Sequence, residues 1–191
     1  MTATAGRPRS FDRQQVLDNA LELFWVNGYR ATTTRELEQT LGLSQSSIYN
    51  AFGSKQGLLM AALATYEDRI SETLVMPLET DPDGLTAITT FFDALADWVT
   101  HDGHRGCMII NLMAEDAGTD DEITDRTRAY RSRLKQALQD ALDRAGVADS
   151  EARSDVLYGL VLGLNIAARG GGFESEITRL VDSARAVVGS W

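Results

Sequence analysis

The sequence predicts an all-α protein, with an N-terminal three-helix unit joined by a long helix to a larger helical domain. Three observations carry that reading. Ala, Leu, Glu, Asp and Arg dominate the 191 residues, only three prolines interrupt them, and strand-like alternation of β-branched residues is nearly absent. Apolar residues recur at three- and four-residue spacing, the period of helices with one buried face. The run TTRELEQTLGLSQSSIYNAFGSK at 33–55 holds the start and stop signals of two short helices and the start of a third.

The elements follow in order. A first helix is expected from Asp12 to Asn27, with Leu17, Leu21 and Phe24 as its buried stripe and Gly28 as its stop. Thr33 followed by Glu36 is a capping box for the second, on which Leu37 and Leu41 share a face and which Gly42 ends in a left-handed residue. Ser44 caps the third, over 44–51, and Ile48 and Phe52 form its i, i+4 apolar pair. Ser54 caps a long helix from Lys55 to Leu74, predicted to end before Pro77, so that PLETDPDG at 77–84 reads as a loop. Ile88, Phe91, Phe92, Leu95 and Trp98 mark a helix from Leu85 to Thr100. HDGHRG at 101–106 is predicted to break it before a short helix from Cys107 to Ala117. Leu134, Leu138 and Leu142 repeat every four within the charged stretch 120–145, the pattern of a surface-lying helix.

Two apolar stripes close the chain. Leu157, Leu160, Val161 and Leu164 form the first, and Ile177, Leu180, Val181, Ala184 and Val188 repeat it after Gly170–Gly172. This hairpin is predicted to pair with its copy as a four-helix interface in a two-fold homodimer, plain core being the alternative. The domains are then 1–54 and 55–191, with no linker because the long helix runs straight through.

No apolar run approaches the roughly 20 residues needed to span a bilayer, so no membrane partner is expected. The first ten residues lack an apolar export segment, and the single Cys107 excludes an internal disulfide, so a reducing cytoplasm is the expected location. Net charge is −10, unpromising for a nucleic-acid binder until it is divided. Residues 1–60 hold six Lys/Arg against five acids, a net of +1, and the remainder holds twelve against twenty-three, a net of −11. The acidity therefore lies in the second domain, and non-specific affinity for DNA should be weak and salt-sensitive.

With Ile48 and Phe52 turned inward, the third helix presents Gln45, Ser46, Ser47, Tyr49 and Asn50, hydrogen-bonding side chains suited to base edges and phosphates. The segment reads as a helix-turn-helix whose second helix enters the major groove of double-stranded DNA. A dimer would then read an inverted repeat. Arg7 and Arg9 are candidate minor-groove or phosphate contacts, with a frayed terminus as the plain alternative.

NGYRATT closing the first helix, LGLS closing the second, and SSIYNAFGSKQGLL opening the long helix together resemble the TetR family of bacterial transcriptional regulators, over roughly residues 10–60. The resemblance implies a repressor, with Thr33 and Arg35 touching phosphate or sugar and Gln45, Ser46 and Ser47 facing base edges. It further implies phosphate contacts from Tyr49 and Lys55. Gln45 is the best base-reading candidate, since its amide can pair bidentately with adenine. The chain departs from the family at Asn50 and Ala51, where His or Tyr followed by a bulky aromatic is usual; Asn50 can still donate to phosphate and Ala51 cannot. RGCMIINLMAED at 105–116 and DVLYGLVLGLNIAAR at 155–169 are similar to the N-ethylmaleimide reductase repressor branch, whose cysteine at the place of Cys107 senses electrophiles and oxidants.

A small-molecule effector is expected among Tyr66, Phe91, Phe92, Trp98, Cys107, Met108, Asn111 and Met113, residues an ordinary helical core would also contain. At a helix N-terminus beside Arg105 and His104, Cys107 is predicted to favour thiolate; the alternative is a small buried hydrophobe. His101, His104 and Cys107 with Asp102 have zinc-ligand chemistry, but Asp102–Gly103 is predicted to break the helix that would align them, so no metal or other cofactor is expected. No oxyanion loop, phosphate loop or orienting group accompanies Cys107 as nucleophile, so no catalytic residue is assigned and no enzyme is expected.

Overall fold

The computed structural model describes residues 11–116, 120–171 and 174–191, with the side chains of 101–104 and 116 outside the description. Arg7 and Arg9, and the side chains of His101, Asp102 and His104, lie outside the described residues.

Asp12 accepts from the backbone N–H groups of Gln14 and Gln15 and starts α1, Arg13–Asn27. The Thr33–Glu36 capping box forms and opens α2, Thr34–Leu41, which ends at a left-handed Gly42. Ser44 caps α3, Gln45–Phe52, and Ser54 caps α4, Lys55–Ile70. Leu17, Ala20 and Phe24 of α1, Leu37 of α2, Ile48 of α3, and Leu58 and Leu59 of α4 are buried residues of this unit. Each is held by the periodicity its helix carries.

The long helix does not stop before Pro77. A single π turn, Ser71–Val75, follows α4, and the helix resumes as α5, Met76–Thr80, with Pro77 in its first turn. A proline in a helix interior costs about 3 kcal/mol, but in a first turn its missing N–H has little to lose. Continuing the helix also buries Leu74, Val75 and Leu78, each worth about 1.5–3 kcal/mol. Burial outweighs the proline, and the expected loop at 77–84 shrinks to Asp81–Asp83.

Asp83 caps α6, Gly84–His104, which runs through Asp102–Gly103 instead of breaking there. The chain turns at Arg105–Cys107 into α7, Met108–Asp116, followed by α8, Asp121–Arg144, α9, Ser150–Arg169, and α10, Glu174–Gly189. α9 packs on α6 and α8, and α10 packs on α6 and α9. Two bidentate ion pairs tie α8 across the lever formed by α4 and α5. Arg126 Nε and Nη2 donate to Glu67 at 2.8 and 2.5 Å, and Arg133 Nε and Nη2 donate to Glu79 at 3.0 Å each.

The closing hairpin forms, but its stripes face inward. Leu157, Val161, Leu164, Ile177, Val181, Ala184 and Val188 are buried within the single chain, and Leu160 and Leu180 are partly covered. The seven buried residues are core of the single chain and are not free to form the predicted interface, whereas Leu160 and Leu180 keep part of their surface outside. The opposite side of α9 is the exposed one. Val156 is 52% and Ile166 70% exposed, and a Cβ added at Gly159 or Gly163 between them would meet nothing. Apolar periodicity identifies the helices correctly; it does not say which of two apolar faces the chain itself covers.

Candidate functional site

α3 exposes Gln45, Ser46 and Asn50, with Ser47 and Tyr49 half-buried beside them. Its first turn is held by short side chains. Ser44 Oγ accepts from the Ser47 N–H and lies 3.0 and 2.9 Å from the hydroxyls of Ser46 and Ser47. Glu38 of α2 accepts from the Gln45 N–H at 2.7 Å, clamping the turn between the two helices. The Gln45 side chain is thus presented from a start fixed on both sides.

Tyr49 Oη lies 3.5 Å from Thr34 Oγ1. Hydrogen bonding to Thr34 and then to Gln45 holds the Tyr49 phenol below its ordinary range, which makes it a better donor to an anion. Thr33 is less free than the sequence suggests. Its hydroxyl donates to Glu36 at 2.7 Å and accepts from the Glu36 N–H, and the Thr33 backbone N–H and then this hydroxyl lower the Glu36 carboxyl. Lys55 is turned back on its own unit. Its ammonium sits 4.6 Å from the centre of the Tyr29 ring and donates to the Arg30 carbonyl at 3.5 Å. Burial pulls it below the usual lysine range while Glu115 pulls the other way. Arg35 is exposed on α2. Sequence reasoning does not find Thr34 and Glu38, whose roles depend on partners in another helix.

The N-terminal unit is fastened to the second domain at named points. Glu115 of α7 accepts from the backbone N–H groups of Tyr29 and Arg30, at 3.0 and 2.6 Å. These donors converge because Gly28 stands at φ +84°, where a Cβ would press to 3.1 Å from the same carboxylate. Arg105 pairs with Glu22 of α1, and Arg69 of α4 pairs with Asp18 of α1 at 2.5 Å. Within the second domain, Gln56 in the first turn of α4 donates to Asp120 and Glu122 at the start of α8.

Beside these ties a cavity of about 480 Å³ opens between α1, α4 and α6. Trp25, Tyr66 and Trp98 wall it. Trp98 Nε1 donates to Tyr66 Oη at 3.0 Å, the Met108 N–H donates to the same oxygen at 3.1 Å, and Tyr66 Oη donates to Cys107 Sγ at 3.5 Å. Of the eight effector candidates, Tyr66 and Trp98 line this cavity, and Asn111 and Met113 line a separate cleft between α7 and α9. Phe91, Phe92, Cys107 and Met108 are buried core and line neither.

Cys107 is 1% exposed. Burial pushes its thiol above the ordinary range, more than the hydrogen bond from Tyr66 lowers it, so the thiolate expected from the helix terminus and nearby cations is not favoured. The Gly106–Cys107 pair has a packing explanation instead. Gly106 stands at φ +70° and a Cβ there would fall 2.6 Å from Asn165 Oδ1, the atom that accepts from the Cys107 N–H. Asn165 Nδ2 passes the network on to Asn111 Oδ1 at 3.2 Å, and Asn111 Nδ2 donates to the Arg105 carbonyl at 2.8 Å. Cys107 in the native protein should therefore react with iodoacetamide at neutral pH at least about tenfold more slowly than in urea, measured by mass shift over time. Equal rates would show an accessible thiol. Among the described residues no group of three His, Cys, Asp or Glu is placed to hold a metal, and no helix is long and apolar enough to cross a membrane.

Residues 16–62 match the family model of bacterial regulatory proteins, tetR family. Over 97% of its length the chain is 29% identical to 91% of the HTH-type transcriptional repressor ComR of Escherichia coli (strain K12). Over 87% it is 28% identical to 83% of the HTH-type transcriptional repressor BdcR of the same organism. Among solved structures, a cysteine mutant of the TetR family transcriptional regulator CifR, complexed with 26bp double-strand operator DNA, matches with a TM-score of 0.85 at 24% identity, covering 94% of this chain and 98% of that one. That likeness is one of fold.

Proposed function

We propose that this chain, a TetR-family DNA-binding transcriptional regulator, works as a homodimeric repressor that a non-covalent small molecule releases from an inverted-repeat operator. The observation that carries this is the cavity, whose walls come from both α1 of the DNA-binding unit and α4 and α6 of the second domain. A ligand seated there bears on α1 and α4, and α4 packs directly on α3. Two recognition helices must sit about 34–36 Å apart, or a multiple of it, to meet successive half-sites, so a small tilt is enough to release DNA. The exposed face of α9, from Val156 to Ile166, is the surface we assign to the dimer. The similarity of 105–116 to the N-ethylmaleimide reductase repressor branch favours a second reading, release through Cys107; its burial argues for the non-covalent one.

Selection of bound sequences from a random duplex library tests the proposal. Enrichment of an inverted repeat is the expected result, and no enrichment at low salt would overturn it. On the selected operator, Gln45→Ala should weaken binding by about 1–3 kcal/mol for each bidentate base pairing it removes. It should also relax preference at one symmetric pair of positions, measured by fluorescence anisotropy over single-base operator variants.

A further inference from the structure

We infer that the cavity between α1, α4 and α6 takes a flat organic cation, stacked against Trp25 and Trp98 with its charge toward Asp97. That such occupancy releases DNA rests on the repressor reading above; that the cation binds does not.

The walls are aromatic and set at steep angles. The Trp25 and Tyr66 rings are 5.2 Å apart at 76°, and the Tyr66 and Trp98 rings 5.7 Å apart at 61°. Three aromatic side chains around one space give an entering flat cation aromatic surface to stack on, and a desolvated cation is drawn to such surface. Charge at the site has the matching sign. Arg69 also lines the cavity, but its guanidinium is paired with Asp18 at 2.5 Å. Asp97 is exposed at the rim and has no ion-pair partner among the described residues. The uncompensated charge is therefore a carboxylate. A volume of about 480 Å³ suits a bicyclic or tricyclic ring system.

The walls also differ in what holds them. Trp98 is pinned through its Nε1 bond to Tyr66 Oη, which in turn accepts from the start of α7. Trp25 Nε1 is buried with no acceptor, so moving that ring breaks no hydrogen bond. The wall that yields to a ligand is the one on α1, and α1 carries the DNA-binding unit.

The test titrates the full-length protein with 1-methylquinolinium, its neutral isostere 1-methylnaphthalene and the anion 1-naphthoate. Binding is read from the indole N–H resonances of Trp25, Trp98 and Trp191. The expected result is a saturable shift of the Trp25 and Trp98 signals with Trp191 unmoved, and affinity for the cation at least about tenfold above both controls. Asp97→Asn should abolish that preference while leaving the affinity for 1-methylnaphthalene within about twofold. Equal binding of cation and isostere, preference for the anion, no saturation to millimolar concentration, or an unchanged preference in Asp97→Asn each overturns the assignment. Operator release is measured separately. A cation that binds without releasing DNA supports the ligand class and overturns the coupling, and a protein that selects no operator overturns the repressor reading alone.

Discussion

Replacing Ile166 by Glu should give a folded monomer that no longer holds its operator. Ile166 is 70% exposed on α9, and the two glycines along the same face leave open space outside the helix. A charge at so exposed a position changes the stability of a single chain by no more than about 0.5 kcal/mol. In a two-fold dimer the same face meets its copy, so each substitution places a second carboxylate opposite the first and both must be desolvated. The effect at the operator is larger than that of removing any single side chain from the DNA. Two linked half-site contacts gain from a high effective concentration, and unlinking them removes about 10²-fold or more in affinity without touching a DNA-facing residue. Light scattering after gel filtration should show the monomer mass, with unchanged helical circular dichroism, and anisotropy should show that binding is gone. Met76→Glu, at an exposed apolar residue on α5, serves as the control and should remain dimeric. An Ile166→Glu protein that stays dimeric and binds DNA would place the interface elsewhere.

Which parts of this architecture are legible from the sequence follows from the range of the interactions that set them. Helix starts are readable because caps are local. Thr33 with Glu36, Ser44 and Ser54 each satisfy backbone donors within three residues, and each stands where the sequence predicts it. The interior of the long helix is not readable, because Pro77 is a local stop signal overruled by the burial of Leu74, Val75 and Leu78 against distant helices. The same holds at Asp102–Gly103, through which α6 continues. The face of α9 misleads for a related reason. One stripe carries Leu157, Val161 and Leu164, the other Val156, Ile166 and two glycines, and only the packing of α6 and α8 decides which remains outside. At the site, Gln45, Ser46 and Asn50 are legible because exposure follows from helix periodicity once Ile48 is buried. The clamps of Glu38 on Gln45 and of Thr34 on Tyr49 join separate helices and leave no sequence pattern.

Glu115→Ala should loosen the DNA-binding unit from the rest of the molecule and weaken operator binding about five- to thirtyfold. The Glu115 carboxylate takes two backbone donors from the Gly28–Arg30 turn, 85 and 86 residues away in the chain. Hydrogen bonds to a charged group contribute about 1.5–3 kcal/mol each when sheltered, and this pair is partly open to water, so about 1–2 kcal/mol in total is the reasonable sum. That energy holds the turn after α1 against the end of α7, and without it the unit must give up orientational entropy on binding DNA. Glu115→Gln distinguishes this role from simple packing. An amide keeps the size but offers one acceptor oxygen, while its NH₂ faces the second N–H, so it should recover less than half of the affinity. Hydrogen exchange supplies the local readout. Protection at the Tyr29 and Arg30 amides should fall in both variants while α8, α9 and α10 exchange as before, and unchanged protection would show that the turn is held without the carboxylate. Because the yielding wall is Trp25 of α1 and Glu115 grips the Gly28–Arg30 turn that follows α1, a ligand that moves Trp25 works against the same grip. The two variants should therefore also blunt any release of DNA brought about by filling the aromatic cavity.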